Sequence, residues 1–180
     1  MVAGKIWSGN GYQRENQTNI GWAGNRLTDS GMTLAQRVYV CGVLNGFVVD
    51  WLLRQKITSH LNMFYVYQVP VPRDTTSSIS DSIVNRAARL ICTTPEFDDL
   101  AKAVGLKKTS TGLARTDSYG TTDPTERAKL RAELDGLVAH LYGLTEAEFA
   151  HILGTFPLVA EPVKIAALNA WRDVERGLIQ

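Results

Sequence analysis

Apolar residues recur at helical spacing from residue 33 onward, and the first such run is the longest. Thr33 and Gln36 have the spacing of a capping box, in which each residue's side chain bonds the other's backbone N–H. The apolar positions that follow are Val38, Val40, Cys41, Val43, Leu44, Phe47, Val48, Trp51, Leu52 and Leu53. They cover nearly the whole helical circumference, which predicts one helix to about Lys56, packed on most sides. Gly42 and Gly46, four residues apart, leave a flat face for close backbone approach.

The segment after this helix has a different pattern. Residues 63–72 are rich in β-branched and aromatic side chains, and Pro70 and Pro72 remove backbone donors at its end. This pattern predicts a strand with an extended exit. Residues 1–32 are rich in glycine and asparagine without clear periodicity, which is typical of turns, short strands or a fragment of a larger sheet.

A polar linker at residues 74–78 precedes the next helix. Ser78 and Asp81 are able to cap its amino end, and the helix is predicted to reach about Cys92. The linker therefore marks the boundary between the two parts of the chain.

A short helix and a loop follow. Thr94 begins the short helix and Gly105 ends it, because glycine adopts the left-handed conformation that closes many helices. Residues 107–122 lack apolar periodicity. We expect them to form a mobile, poorly ordered surface loop.

Three amphipathic helices complete the pattern. Their start signals are Asp123 with Glu126, Thr145 with Glu148, and Pro162 at a first helical position, and their stop signals include Gly143 and Gly154. In the last helix one face carries Val163, Ala167, Trp171, Val174 and Leu178. The tail is thus expected to be a compact set of packed helices.

Together these elements predict a mainly α (α+β) fold. It is a bundle of amphipathic helices with a small strand-bearing amino-terminal part. Two regions are expected: residues 1–73 with the long buried helix and the strand, and residues 74–180 as a helical tail.

Composition agrees with a folded cytoplasmic chain. With 44% hydrophobic residues among 180, the chain is able to bury a core. The apolar stretch at 38–53 contains glycine, asparagine and aspartate and is shorter than the roughly 20 residues that span a bilayer. The first residues lack the apolar run of a signal peptide. Cys41 and Cys92 fall within helical patterns and are expected to be buried, reduced thiols.

The net charge of +1 conceals an asymmetry. Residues 1–73 hold seven Lys or Arg against three acids, whereas residues 74–180 hold twelve against fifteen. The first part is therefore the better place for an anionic partner, although an ordinary solvated surface would look much the same.

Familiar catalytic and metal-binding patterns are missing. No two prolines are adjacent, which excludes the Asn-Pro-Pro-aromatic corner of adenine methyltransferases, and the phosphate-binding P-loop is also absent. The three histidines and two cysteines lack metal-ligand spacing. The carboxylate pairs Asp98-Asp99 and Glu146 with Glu148 are better explained as first-turn acids that favour the helix dipole. We expect no catalytic residue, cofactor or metal in this chain.

Two segments resemble a known family. The first is Val38-Tyr-Val-Cys-Gly-Val-Leu-Asn-Gly-Phe-Val-Val-Asp-Trp-Leu-Leu-Arg-Gln-Lys56, continued by His60-Leu-Asn-Met-Phe-Tyr-Val-Tyr-Gln-Val-Pro-Val-Pro72. The second runs from Leu130 to Pro157 and includes Leu141-Tyr-Gly-Leu-Thr-Glu-Ala-Glu148. Both are similar to the carboxyl-terminal region of type IIG-like restriction-modification adenine-specific DNA methyltransferases, over residues 34–73 and 124–178.

The resemblance implies a function for the chain. Residues 1–73 would be a partial target-recognition segment and 74–180 the helical tail of an enzyme whose S-adenosylmethionine-binding catalytic part lies elsewhere. The chain would hold double-stranded DNA while the catalytic methyltransferase portion or subunit flips and methylates adenine. Residues 1–32 match the family poorly, which puts a complete recognition domain in doubt.

Candidate DNA contacts come from polar side chains in the first part, since Arg, Lys, His and Asn bond phosphates or base edges. They are Arg14, Asn16, Asn19, Arg26, Arg54, Lys56, His60 and Asn62. Such groups also satisfy turns and helix caps. The alternative function is a protein-interaction helical module that docks on a methyltransferase or nuclease subunit without touching DNA.

Overall fold

The structure is a computed structural model that describes residues 31–57, 61–73, 77–108 and 119–179. Within these ranges every regular element is a helix, which confirms the mainly helical fold. The helices are α1 Leu34–Leu44, α2 Phe47–Arg54, α3 Met63–Tyr67, α4 Ser78–Ile91, a 3₁₀ turn Pro95–Phe97, α5 Asp98–Ala103, α6 Pro124–Leu141, α7 Glu146–Gly154 and α8 Glu161–Glu175. The turns, short strands or sheet fragment expected in residues 1–32 lie outside the described residues up to residue 30.

The helices share one core. α4 contacts both α1 and α6, and α6 also contacts α8. α2 contacts α7 and α6. Fully buried side chains from all of these layers meet in the interior, among them Val38, Val49, Ile83, Leu137, Phe149 and Ala167. α6 is thus the central helix, and the apolar stripe predicted for it is the reason. No helix within the described ranges is long and apolar enough to cross a membrane.

The prediction of one helix from Thr33 to about Lys56 is wrong in one respect, because it breaks at Asn45 and Gly46. The Asn45 side-chain amide donates to the Cys41 carbonyl at 2.7 Å, the oxygen that the next helical turn would have used. Gly46 then adopts an extended backbone and becomes the N-cap of α2. The capping box at Thr33 and Gln36 is present as predicted.

The two glycines at this break meet different helices. A Cβ on Gly42 would lie 3.0 Å from the Ile83 side chain of α4, and one on Gly46 would lie 3.3 Å from Val138 of α6. The neighbouring helices approach these glycines with side chains rather than with their backbones, so the predicted face for close backbone approach is wrong. Because the helix breaks between them, they do not share one face.

The predicted strand at residues 63–72 is also wrong. Met63–Tyr67 forms the short helix α3, a turn and a bend follow at Gln68 and Val69, and the chain from there to Arg73 has no regular secondary structure. A strand needs a neighbour for its backbone hydrogen bonds, and the described residues supply none; a helical turn satisfies its own. The segment after α3 is held by the Tyr39 hydroxyl, which donates to the Pro72 carbonyl at 3.0 Å.

Near α4 two predictions need adjustment. The N-cap is Ser77 rather than Ser78, and its hydroxyl accepts the Ser80 N–H. Residues 109–118 of the expected mobile loop lie outside the described residues. Tyr119 is buried and Gly120 packs on the carboxyl end of α4, so this end of the loop is part of the core.

Most of the remaining helix-end signals work as predicted; Pro162 is the second rather than the first residue of α8, and Gly154 also differs. Gly105 and Gly143 have positive φ angles, and Thr145 with Glu148 forms a complete capping box. Gly154 does not have a positive φ; it is the last helical residue of α7, and the Thr155 hydroxyl bonds the Ile152 carbonyl instead. On α8 the predicted apolar face is only partly buried, since Val163 is exposed, and Leu178 lies beyond the end of the helix and is also exposed.

α6 and α8 approach each other closely at Gly136. A Cβ there would lie 2.7 Å from the Trp171 backbone nitrogen and 2.8 Å from the Ala170 carbonyl carbon. Real side-chain atoms do not come so close to a backbone, so only glycine fits. This contact brings the Trp171 indole to the end of α6, where it donates to the Leu144 carbonyl at 3.1 Å.

Candidate functional site

The candidate site is the corner formed by the end of α2 and the start of α3. Of the predicted DNA contacts, Arg54, Lys56 and Asn62 lie in this corner. Arg14, Asn16, Asn19, Arg26 and His60 lie outside the described residues. Three of the eight candidates thus lie at the end of α2 or immediately before α3 in the described chain.

Arg54 is an anchor of the fold. Its guanidinium bonds the Asp50 carboxylate twice, from Nε to Oδ1 at 3.0 Å and from Nη2 to Oδ2 at 3.1 Å. The same group lies over the Phe156 ring, with Cζ 4.8 Å from the ring centroid. Asp50 is buried, so Arg54 balances a charge that water does not reach well. Its donors are largely committed, which makes it a poor candidate for a base or phosphate contact.

Lys56 and Asn62 are exposed. In the described parts of the chain no carboxylate lies within ion-pair distance of the Lys56 ammonium group. Asn62 occupies the N-cap position of α3, but its side chain makes no capping hydrogen bond. Both polar groups are therefore available to a ligand from solvent.

Aromatic side chains border this corner. Phe64 and Tyr67 of α3 are 65% and 63% exposed, which is unusual for side chains of this size. The Phe64 ring packs edge-on against Tyr65 at a centroid distance of 5.7 Å. The corner thus combines a lysine that has no ion pair among the described residues, one amide and two exposed rings.

A second polar contact lies at the α1–α2 break. The Asp135 carboxylate of α6 accepts the Phe47 N–H at 3.0 Å, the first backbone donor of α2. Burial raises the pKa of Asp135 to about 7, although the Phe47 N–H bond and the charge of Arg131 act in the opposite direction. Sequence reasoning missed this residue. The available signal was an acid between the core positions Leu134 and Val138.

The paired acids have structural roles. Glu148 accepts the Thr145 N–H and hydroxyl, and these bonds lower the pKa of Glu148. Glu146 binds Arg172 of α8, with Nε 2.8 Å from Oε1. Asp99 lies 3.5 Å from the Lys102 ammonium group on the same helix. Glu146, Glu148 and Asp99 are thus each accounted for by a cap or an ion pair, and Asp98 is a first-turn acid of α5.

The histidine of α6 is also part of the packing. His140 stacks on Trp171 at a centroid distance of 4.6 Å, and its Nε2 lies 3.0 Å from the Trp171 carbonyl. Because a carbonyl only accepts, Nε2 carries the proton of this hydrogen bond. Within the described ranges no three His, Cys, Asp or Glu side chains cluster as metal ligands would.

Cys41 and Cys92 are buried and free. Burial raises the pKa of Cys41 to about 12. Burial and the charge of Asp98 raise the pKa of Cys92 to about 11. Thiols of this kind are poor nucleophiles at neutral pH. The prediction of buried, unpaired cysteines is confirmed.

Comparison with known proteins adds no identification. No protein-family model, no curated protein and no solved structure matches this chain.

Proposed function

We propose that this chain is a non-catalytic DNA-recognition and scaffold segment of an adenine-specific DNA methyltransferase in a restriction-modification system. The observation that carries the proposal is the resemblance of residues 34–73 and 124–178 to that family, in the family's order. S-adenosylmethionine and the catalytic residues would belong to the methyltransferase portion with which this chain associates, in the cytoplasm.

The packing of the two resembling segments supports treating them as one unit. Phe47 from the first segment packs edge-on against Phe156 from the second, at 5.0 Å between ring centroids. Arg54 lies on the other side of the same contact, and Asp135 bonds the Phe47 N–H. Segments that are about 90 residues apart in sequence thus depend on each other for their local structure, as parts of a single inherited module would.

The corner after α2 is the best DNA-facing surface in the described ranges. Lys56 supplies an uncommitted positive charge, and Asn62 an uncommitted amide, beside the exposed rings of α3. A lysine that contacts a phosphate contributes to affinity for any sequence and makes it salt-dependent. An asparagine amide is able to bond an adenine edge.

Binding to duplex DNA at several salt concentrations tests the proposal. Wild-type chain should bind with an affinity that falls as salt rises. Lys56→Ala should weaken binding to all sequences and reduce the salt slope by about one contact. Lys102→Ala is the matched control, because this lysine is also exposed but lies beside Asp99 on α5. No DNA binding by the chain, alone or joined to its methyltransferase portion, would reject the function.

Exposed apolar side chains favour the second candidate, a protein-interaction module. Phe64, Tyr67, Leu158 and Leu178 are each more than 60% exposed. Surfaces of this kind often bind other proteins. A docking surface without DNA contact would bind a methyltransferase or nuclease subunit with little dependence on salt, and Lys56→Ala would leave that affinity unchanged.

A further inference from the structure

Helix α3 presents two aromatic rings to solvent. Phe64 is 65% exposed and Tyr67, three residues later, is 63% exposed. Leu61, Tyr65 and Val69, which are spaced four residues apart, are partly buried and pack against the core. The segment is thus fixed to the protein on one side, while the Phe64 and Tyr67 rings face water on the other.

The Phe64 ring is held in a defined position. It packs edge-on against the Tyr65 ring, with the centroids 5.7 Å apart and the planes inclined at 73°. Because Tyr65 itself packs against the core, Phe64 is braced by an anchored residue. A ring that is already oriented loses little conformational freedom when a flat ligand stacks on it.

The exposed aromatic area is small for a protein–protein interface. A phenylalanine or tyrosine side chain has roughly 150 to 250 Å² to bury, so two rings that are about two-thirds exposed offer on the order of 200 to 300 Å². A stable protein interface uses about 800 Å² from each partner. A nucleobase needs only one ring face on which to stack. The two rings therefore suit a base better than a folded protein.

The chain around α3 is basic. From Trp51 to Arg73 the sequence contains three Lys or Arg and no Asp or Glu. Arg54 is bonded to Asp50, but Lys56 and Arg73, which lie before and after α3, are both exposed. Exposed aromatic rings with cations nearby in the chain are the combination by which proteins bind unpaired nucleic acid, because the cations attract phosphates and the rings stack on bases.

Resting on the DNA-binding function proposed above, we propose that Phe64, with Tyr67 beside it, is a stacking platform for an unpaired base of DNA, whose phosphates are contacted by Lys56 and Arg73. Stacking adds affinity with little dependence on sequence, since every base has a flat π-face. The two cations contribute to the binding of paired and unpaired DNA alike. The platform thus gives the chain a preference for DNA in which a base has left its pair.

Binding of the full chain to two matched DNAs tests the platform. Both are the same duplex with 2-aminopurine at one adenine position, and in one of them an abasic site opposite leaves that base unpaired without changing the number of phosphates. Wild type should bind the DNA with the unpaired base at least about fivefold more tightly, the lower end of what stacking one base contributes. The 2-aminopurine fluorescence should fall on binding, as the base stacks on the ring.

The wild-type result separates this proposal from the function on which it rests. Equal affinity for the two DNAs would overturn the platform and keep the DNA-binding function, with the rings then open to a protein partner. No binding to either DNA would reject the function and the platform together.

Phe64→Leu is the decisive variant, because it keeps an apolar side chain but removes the ring. It should lose most of the preference for the unpaired base and bind the paired duplex within about twofold of wild type. Phe64→Tyr keeps a ring and should keep the preference. Lys56→Ala should weaken the binding of both DNAs by the same factor.

Leu158→Ala is the matched control, since Leu158 is also an exposed apolar side chain but lies between α7 and α8. Both of its affinities should equal those of wild type. Loss of the preference in Leu158→Ala, or its survival in Phe64→Leu, contradicts the platform. The wild-type comparison decides if Phe64→Leu does not fold.

Discussion

Gly136 and Gly154 are helical glycines in opposite environments. Gly136 faces the backbone of α8, with distances under 3 Å for an added Cβ, whereas Gly154 has nothing within 4 Å. Both positions would gain helix propensity from alanine, about 1 kcal/mol. At Gly136 this gain is opposed by a clash with main-chain atoms, which cannot rotate away.

We therefore expect Gly136→Ala to reduce the free energy of unfolding by about 1 to 3 kcal/mol, the usual cost of overpacking. Gly154→Ala should raise it by about 0.5 to 1 kcal/mol. Urea denaturation of both variants beside wild type measures the two effects. Equal effects at both positions would contradict the close α6–α8 contact.

Tyr39 and Tyr142 form a second contrasting pair. The Tyr39 hydroxyl bonds the Pro72 carbonyl, but the buried Tyr142 hydroxyl has no hydrogen-bond partner within the described ranges. Burial, with a contribution from Tyr39, raises the pKa of Tyr142 to about 12. A buried hydroxyl without a partner destabilises the folded state.

Removing each hydroxyl should have opposite consequences. Tyr39→Phe should lower the free energy of unfolding by about 1 kcal/mol, the typical net value of a hydrogen bond. Tyr142→Phe should leave it unchanged or raise it. Thermal melts at fixed pH compare the two variants, and a clear loss of stability in Tyr142→Phe would show that its hydroxyl has a partner.

Arg54, the last residue of helix α2, joins this helix to the Phe156 ring. Arg54→Ala removes both bonds to the buried Asp50 and the contact with the Phe156 ring. Since the Arg54 side chain is 40% exposed, water screens part of the interaction. We expect a loss of about 1 to 2 kcal/mol in the free energy of unfolding.

Lys56→Ala is the control for this substitution and should change stability by less than about 0.5 kcal/mol, as is usual for exposed positions. Denaturant titration of the two single variants separates the roles of neighbouring cations. A larger loss of stability in Lys56→Ala than in Arg54→Ala would contradict the structural role assigned to Arg54.

Both cysteines are buried in the core, so their reaction with a thiol reagent reports unfolding of the protein. Cys41 is 7% and Cys92 is 2% exposed. With pKa values of about 12 and 11, each is almost entirely protonated at pH 8. We expect that a thiol reagent does not modify either cysteine of the native protein within the time that its reaction with the denatured protein takes. After denaturation the same reagent should detect two free thiols. A native disulfide, or rapid modification before denaturation, would contradict this packing.

Local signals predicted most of the helices. Thr33, Thr145 and Asp123 begin helices where their spacing indicated, and Gly105 and Gly143 end them with positive φ angles. These features depend on a few neighbouring residues, whose backbone donors and acceptors must be satisfied within one turn. For that reason these helix ends can be predicted from the sequence without knowledge of the tertiary structure.

Long-range contacts decided the rest. The first backbone N–H of α2, at Phe47, is bonded by Asp135 of α6, and Arg54 differs from Lys56 because its guanidinium also lies over the distant Phe156 ring. Residues 63–67 are helical rather than extended because the described chain brings no strand beside them. The burial of a polar group, the contact of a glycine with another backbone and the partners of a cation depend on residues about 35 to 100 positions away in the sequence. The periodicity of apolar residues along the chain does not show which of these distant residues come together.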